Sequence, residues 1–396
     1  MSDEIVRVAA RGEGVTSDGR HIPLAAPGDR VEADGSITPG PHRAIPPCRH
    51  FPECGGCQLQ HLDDAAYAAF VRDRVVGALA GQGLAAEVRP ALLSPPRTRR
   101  RATLHGERVG NRIVLGFTEG ASHKLIDLAE CHILAPELFA LIAPLRSLLA
   151  ATLPGNARAD VHLALCDQGV DVVVKGLTAD TLASAEALTG FARRQGLARL
   201  SLDDGFGPEA RWEPDAVTVT LGGVPVPLPP GAFLQATPEG EAALIAGVRE
   251  AIGTPRTVAD LFAGLGTFGL AMPPTTRVYA AEAGREAILS LKAAAGRAQR
   301  QLFADHRDLF RRPLSSEEAS RFDAIILDPP RAGARDQAVT LAKATTPRIA
   351  YVSCNPSSFA RDVKTMCEGG YRLDWVQPVG QFRWSTHVEL VGCLSR

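Results

Sequence analysis

The chain has 396 residues, with 43 Lys and Arg against 44 Asp and Glu for a formal net charge of −1, and 45% of it is hydrophobic. That length predicts about two or three domains with real cores, while a mean hydropathy of −0.00 and the lack of a long apolar run exclude a membrane-spanning protein. Near-neutral charge argues against a protein that coats nucleic acid indiscriminately, and the start "MSDEIVRVAARGEG" lacks the basic and apolar regions of a secretion signal, which predicts a cytoplasmic location without disulfides.

Residues 4–45 alternate apolar and polar positions between turn-like "SDGR" and "APGDR", which predicts a small N-terminal β-barrel. The next stretch, "IPPCRHFPECGGCQLQHL", has no secondary-structure period, and such a segment usually needs a ligand to order it. Helical spacing follows over residues 59–82, with Leu62, Ala66 and Phe70 on one diagonal and Val71, Val75 and Leu79 on another. The run "RTRRRATLHGERVGNR" (97–112) is basic, and Arg99, Arg100 and Arg101 are candidates to grip phosphates.

From about 98 to 230 the pattern mixes strands, as in "ADVHLALCDQGVDVVVKG", with a helix over "DTLASAEALTGFARRQG". The prolines of "GGVPVPLPPGAF" predict an irregular boundary. Beyond residue 235 the rhythm becomes strand, glycine turn, helix, strand, as in a doubly wound parallel sheet. "TVADLFAGLGTFGLAM" carries a strand ending near Asp260 and a turn through Gly264 and Gly266; "RVYAAEAG" ends in Glu282, "FDAIILDPPRAG" in Asp328, and "RIAYVSC" delivers Cys354. Ligands of open α/β sheets bind outside the carboxyl ends of the strands, so these residues are expected to converge.

The glycine turn and the acid at the next strand end suit a nucleoside-containing cofactor, and an acid placed before the glycines fits S-adenosylmethionine better than a dinucleotide. The stiff loop "LDPPR" suits a flat ring; amine-methylating enzymes usually end this loop in an aromatic residue, whereas here Arg331 follows the prolines. A ring carbon such as C5 of uracil is a poor nucleophile until a thiolate adds to C6, and Cys354 is placed to supply one. A base must then remove the C5 proton. Alternation puts His387 and Glu389 of "STHVELVGCLSR" on one face, so either could be that base.

In this order and spacing, "DLFAGLGTFGL", "LDPPRAG", "YVSCNPSSFARD" and "THVELV" resemble the RNA 5-methyluridine methyltransferase family. The resemblance implies Cys354 as nucleophile, Glu389 as base and Asp328 at the uracil site. It also implies that Asp260, Phe262, Gly264, Gly266 and Glu282 hold S-adenosylmethionine, with Asp328 beside them. "GAFLQAT" matches too, which implies that Phe233 packs against the target base and Gln235 bonds a uracil edge or the cofactor region, and Arg331 faces the same substrate.

Cys48, Cys54 and Cys57 with the remote Cys131 make four soft donors, a set that takes zinc or an iron–sulfur cluster. The family resemblance implies a 4Fe–4S cluster on these four. Residues 1–45 resemble a shortened TRAM domain, an OB-like RNA-binding barrel, and barrel and cluster together tilt the expected substrate toward 23S rRNA. The expected architecture is α/β: an OB-like barrel (1–45), an α+β central domain with the cluster (46–230) and a Rossmann-like methyltransferase domain (231–396). No membrane or obligate protein partner is expected. Three alternatives stay open: the same chemistry on tRNA, a methyltransferase that modifies an exocyclic amine with "DPPR" as its active loop, and a non-catalytic RNA-binding protein with a structural metal.

Overall fold

A computed structural model describes residues 3–120, 122–155, 157–179 and 181–396. Two compact units emerge, and each gathers separate stretches of chain. The first comprises Met1–Pro47, Gln58–Ser94 and Glu239–Arg396; the second comprises Cys48–Cys57 and Pro95–Pro238.

The first unit is built on a nine-stranded sheet. From one edge its strands run Leu302–His306, Arg277–Glu282, Thr257–Leu261, Ala324–Leu327, Arg348–Ser353, Glu389–Ser395, Arg372–Gly380 and then Glu87–Val88, while Leu92–Leu93 also pairs with Arg372–Gly380. The first five are parallel, and Glu389–Ser395 runs antiparallel to both neighbours. Chain order reverses between Thr257–Leu261 and Ala324–Leu327, and such a switch point opens a crevice at the carboxyl ends of the strands. Strands such as Ala324–Leu327 are buried throughout, as a sheet covered on both faces requires.

The strands expected here are present and parallel. Glu282 ends its strand, Asp260 lies one residue before the end of its own, and Asp328 and Cys354 each lie one residue past theirs. The helix Pro356–Glu368 packs Phe359 edge-on against Tyr351, with ring centroids 5.1 Å apart. Gly392 permits this, since a Cβ there would lie 2.5 Å from the Phe359 ring.

The helix expected over 59–82 is Asp64–Ala80. It starts at Asp63, whose side chain accepts from the Ala66 amide at 2.7 Å as an N-cap. It buries Ala66, Phe70, Val71, Val75 and Leu79 as the spacing indicated, together with Tyr67. The N-terminal residues form a five-stranded antiparallel sheet between Asp3 and Thr38. Ile5, Ala25 and Val31 make its small core, and Ala26 joins the main core of the unit.

The second unit carries a seven-stranded sheet with helices that include Ile142–Thr152 and Leu182–Gln195. The two long strands expected here are Arg158–Cys166 and Gly169–Lys175. The helix Leu182–Gln195 begins with a Thr181 capping box and ends at Gly196 in the left-handed region, whereas Asp180, where its expected span opens, lies outside the described residues. "GGVPVPLPPGAF" departs from expectation: Thr218–Leu221 pairs with Val224–Pro227 across Gly222 and Gly223, both at positive φ. A tight glycine turn suits a hairpin, and prolines are tolerated because a two-stranded ribbon leaves outward positions that donate no ladder bond.

Candidate active site

In the first unit, the chemistry gathers at the carboxyl ends of the parallel strands. Asp260 is fully buried; one carboxylate oxygen accepts from the Gly269 amide at 2.8 Å, while the other, Oδ1, has no hydrogen-bond partner among the described residues. Burial, and then the negative charge of Glu282, push its carboxyl up to about 7. Glu282 accepts from the Gly264 amide at 3.0 Å and the Gly284 amide at 2.6 Å. Its carboxylate thus pins the turn that follows Asp260.

That turn is strained where it matters. Phe262 sits at φ 62°, a left-handed conformation that a bulky residue rarely adopts, and its ring lies 5.3 Å from that of Phe310. Gly264 and Gly266 follow at φ 54° and 92°. A Cβ on Gly264 would touch nothing within 4 Å, so the backbone there borders open space. An orphaned buried carboxylate oxygen beside an open glycine turn and a second carboxylate suits a polar, hydroxyl-bearing cofactor such as S-adenosylmethionine.

The nucleophile candidate is set by sheet register. Ser353 pairs with Leu390 across the antiparallel ladder, so continuing that register by one residue places Cys354 opposite Glu389. Cys354 directly precedes Asn355, whose side chain accepts from the Ser357 amide at 3.1 Å and caps the helix Pro356–Glu368. Removal from water pushes the Cys354 thiol up to about 11, and the charges of Glu389 and Asp328 act in the same direction; its own backbone amide and Arg331 pull it down. Asp328 is raised well above the usual carboxylate range, first by burial and then by Glu389, Asp260 and Glu282. One thiol and four carboxyls therefore share one electrostatic neighbourhood.

His387 and Glu389 part company. Glu389 opens the last strand and is 6% exposed, whereas His387 precedes the strand, is exposed, and packs edge-on against Phe382. The site also contains a clamp that sequence reading missed. Asp362 accepts from the Tyr351 hydroxyl and the Ala334 amide, each at 2.7 Å, and from Arg361. Asn355 Nδ2 and Ser358 Oγ both donate to the Arg331 carbonyl, at 3.0 and 3.2 Å. Together they fasten the loop after Asp328 to the helix after Cys354. The signal was an acid in "FARD" on the same buried stripe as Phe359, Val363 and Met366.

The remaining candidates lie in the second unit. Gln235 is 4% exposed. Arg100 is also buried and its Nε donates to the Gln235 carbonyl at 2.9 Å. Arg99 Nε donates to the Arg101 carbonyl at 3.1 Å, and Arg101 donates to the Leu234 carbonyl while stacking over Phe233.

Cys48, Cys54 and Cys57 sit in a turn-rich loop whose Gly55 amide donates to the Thr118 carbonyl at 2.9 Å. Burial raises the thiols of Cys48, Cys54 and Cys131, and Cys131 feels the charges of Cys48 and Cys54. Cys48, Cys54 and Cys131 thus sense one another, and with Cys57 on the same loop as Cys48 and Cys54 they make a soft donor set of the kind that takes zinc or iron. Among the described residues, however, no three His, Cys, Asp or Glu side chains gather as a metal site in the arrangement seen. No described helix is long and apolar enough to cross a membrane.

A family model, tRNA (Uracil-5-)-methyltransferase, matches residues 295–396, the segment that holds Asp328, Cys354 and Glu389. An uncharacterized RNA methyltransferase of Zymomonas mobilis is 49% identical over 99% of each chain. The 23S rRNA (uracil(1939)-C(5))-methyltransferase RlmD of Edwardsiella ictaluri is 32% identical, covering 89% of this chain and 82% of its own. The crystal structure of Pyrococcus abyssi tRNA (uracil-54, C5)-methyltransferase with S-adenosyl-L-homocysteine has the same fold, with a TM-score of 0.74 at 24% identity over 100% of both chains.

The chain belongs to the RNA (uracil-C5)-methyltransferase family. It is an enzyme that methylates uracil in RNA.

Proposed function

We propose that this enzyme forms 5-methyluridine in 23S rRNA, with Cys354 as the nucleophile and Glu389 as the base. The observation that carries the reading is the ladder register, which sets Cys354 opposite the buried Glu389. The thiolate of Cys354 bonds to C6 of a uridine turned out of its stack, and electron density moves to C5. Bound S-adenosylmethionine supplies the methyl group that C5 takes up. Glu389 then removes the C5 proton, the C5–C6 double bond re-forms, and the Cys354–C6 bond breaks to return the thiolate.

Asp328, raised by burial and by its acidic neighbours, is suited to stay protonated and donate to a uracil oxygen, as a carboxyl in a dry acidic site can. Arg331 assists the thiolate electrostatically. Asp260, Phe262, Gly264, Gly266 and Glu282 are the cofactor residues, with Gln235 at the uracil edge and Phe233, Arg99 and Arg101 toward the RNA. Cys48, Cys54, Cys57 and Cys131 are proposed ligands of a 4Fe–4S cluster that orders their loop, and the N-terminal sheet is read as an OB-like, TRAM-type RNA-binding element.

The choice of RNA rests on RlmD similarity at 32% identity and on the cysteine set. Transcripts of 23S rRNA and tRNA, each incubated with enzyme and methyl-labelled S-adenosylmethionine, test it. Label mapped to one 23S uridine is the expected result; label confined to tRNA overturns the rRNA assignment.

A further inference from the structure

In the first unit, one side chain closes the loop that follows the edge strand Leu302–His306. Arg307 comes next in the chain, and its amide donates to the Glu282 carbonyl at 3.0 Å. Its guanidinium turns back across the loop. Nε donates to the Arg312 carbonyl at 2.8 Å and Nη2 to the Pro313 carbonyl at 2.9 Å, while Nη1 and Nη2 each donate to one oxygen of Glu318 at 2.9 Å. A planar fork serves these acceptors together, which a lysine ammonium cannot. Glu318 is itself fixed, because it completes the capping box of Ser315 and accepts from the Ser315 amide at 2.8 Å. Its bonds to Arg307 hold the Glu318 carboxyl down to about 2, so the pair stays charged at neutral pH.

The closed loop carries Phe310. Asp308 turns the chain by accepting from the Phe310 amide at 3.0 Å, and the Phe310 ring is 49% exposed and tilted by 56° against Phe262. A left-handed backbone such as that of Phe262 persists only where its surroundings over-determine it, and Phe310 is part of those surroundings. Glu282 joins the two sides: its carboxylate accepts from the Gly264 amide, and its carbonyl accepts from Arg307. An acid at this strand end suits ribose hydroxyls, so a ring beside it suits the base of the same nucleoside. All three guanidinium nitrogens of Arg307 are engaged within the protein, and the side chain is only 13% exposed. Arg307 therefore acts through the loop.

We propose that Arg307, paired with Glu318, is a positioning residue for cofactor binding, which holds the 308–313 loop so that Phe310 braces Phe262 and walls the flat base of the cofactor's nucleoside. The inference rests on the reading that the glycine turn takes S-adenosylmethionine, and it deepens that reading by naming a residue that never touches the cofactor.

The test is calorimetric titration of the full-length protein with S-adenosyl-L-homocysteine, with methyl transfer to RNA transcripts and thermal melting read separately. Arg307→Lys keeps the charge and loses the fork; it is expected to weaken binding about tenfold, the order of one aromatic contact. The KM for S-adenosylmethionine should rise by the same factor, with kcat at saturating cofactor and the KM for RNA unchanged. Phe310→Ala, at a half-exposed position, is expected to show the same loss, and the double variant to lose no more than Phe310→Ala alone, since Arg307 works through that ring. Wild-type affinity in Arg307→Lys or in Phe310→Ala overturns the proposal, as does a lowered melting temperature with unchanged affinity, which would make Arg307 a stabilising residue only. Losses that multiply to about a hundredfold in the double variant also overturn it. Should Arg307→Lys not fold, Phe310→Ala still decides. Wild-type protein that binds no S-adenosyl-L-homocysteine defeats the cofactor reading and the proposal with it; binding that Glu282→Ala removes but Arg307→Lys and Phe310→Ala leave intact defeats the positioning role alone.

Discussion

Cys354 and the cysteines of the second unit use the same side chain in opposite physical settings. Cys354 is positioned by the sheet, between the end of a fully paired strand and the N-cap of a helix, so its geometry exists before any ligand arrives. Cys48, Cys54 and Cys57 lie on an irregular loop tied by backbone bonds to residues 118–120, and Cys131 comes from a distant segment. A thiol that must attack one carbon needs a rigid mount, whereas thiols that share a metal can be drawn together by it, so binding and folding become one event. The difference teaches that cysteine spacing alone does not reveal use; what matters is whether regular structure or a ligand fixes the thiol.

The sharpest way to break that comparison is substitution. Cys354→Ala is expected to reduce methyl transfer to background while leaving S-adenosylmethionine binding intact, as measured by labelled-methyl incorporation and cofactor titration; retained transfer would mean that another thiol is the nucleophile. Glu389→Gln is expected to slow turnover by about 10²- to 10⁴-fold, the usual worth of a positioned base. Because it blocks only proton removal, a denaturation-resistant RNA adduct should accumulate on gels with natural uridine.

Cys54→Ser probes the other side. It is expected to abolish bound iron and sulfide in anaerobically purified protein and to make the second unit more sensitive to proteolysis, with cofactor binding at Glu282 unchanged. Iron-free wild-type protein carrying zinc would refute the cluster and keep the four-thiol site.

The smallest expected effect is on stability against pH. Asp260 has a folded-state value of about 7 against 3.8 unfolded, so the folded chain binds the extra proton between those values. Its contribution is fully present below 3.8 and is lost as pH rises toward 7. Asp260→Asn should therefore flatten the stability curve over that window, measured by denaturant unfolding; an unchanged slope would show that Asp260 is ionised when folded.

The parallel strands were legible because each is a short apolar run ending in a chemically distinctive residue: Asp260, Glu282, Asp328 or Cys354. Periodicity also located the helix at Asp64–Ala80, although its start depended on the Asp63 cap. What sequence could not supply was pairing. The antiparallel register that puts Glu389 in the last strand and leaves His387 before it is a long-range choice, and so are the Asp362 bonds to Tyr351 and Ala334. The hairpin inside "GGVPVPLPPGAF" was hidden because its prolines read as breakers when their outward placement is unknown. Arg100 looked like its neighbours in a basic run, and only alternation across a half-buried strand start turned it inward.

The central claim is that Cys354 bonds to C6 of the target uridine. Incubating the enzyme with 5-fluorouridine-substituted 23S rRNA and S-adenosylmethionine blocks the final proton removal, since fluorine does not leave as a proton does, and nuclease and protease digestion followed by mass spectrometry locates the bond. A nucleotide on the peptide that contains Cys354, absent in Cys354→Ala, is the predicted result. An adduct on any other cysteine, or no adduct while RNA and cofactor both bind, would contradict it.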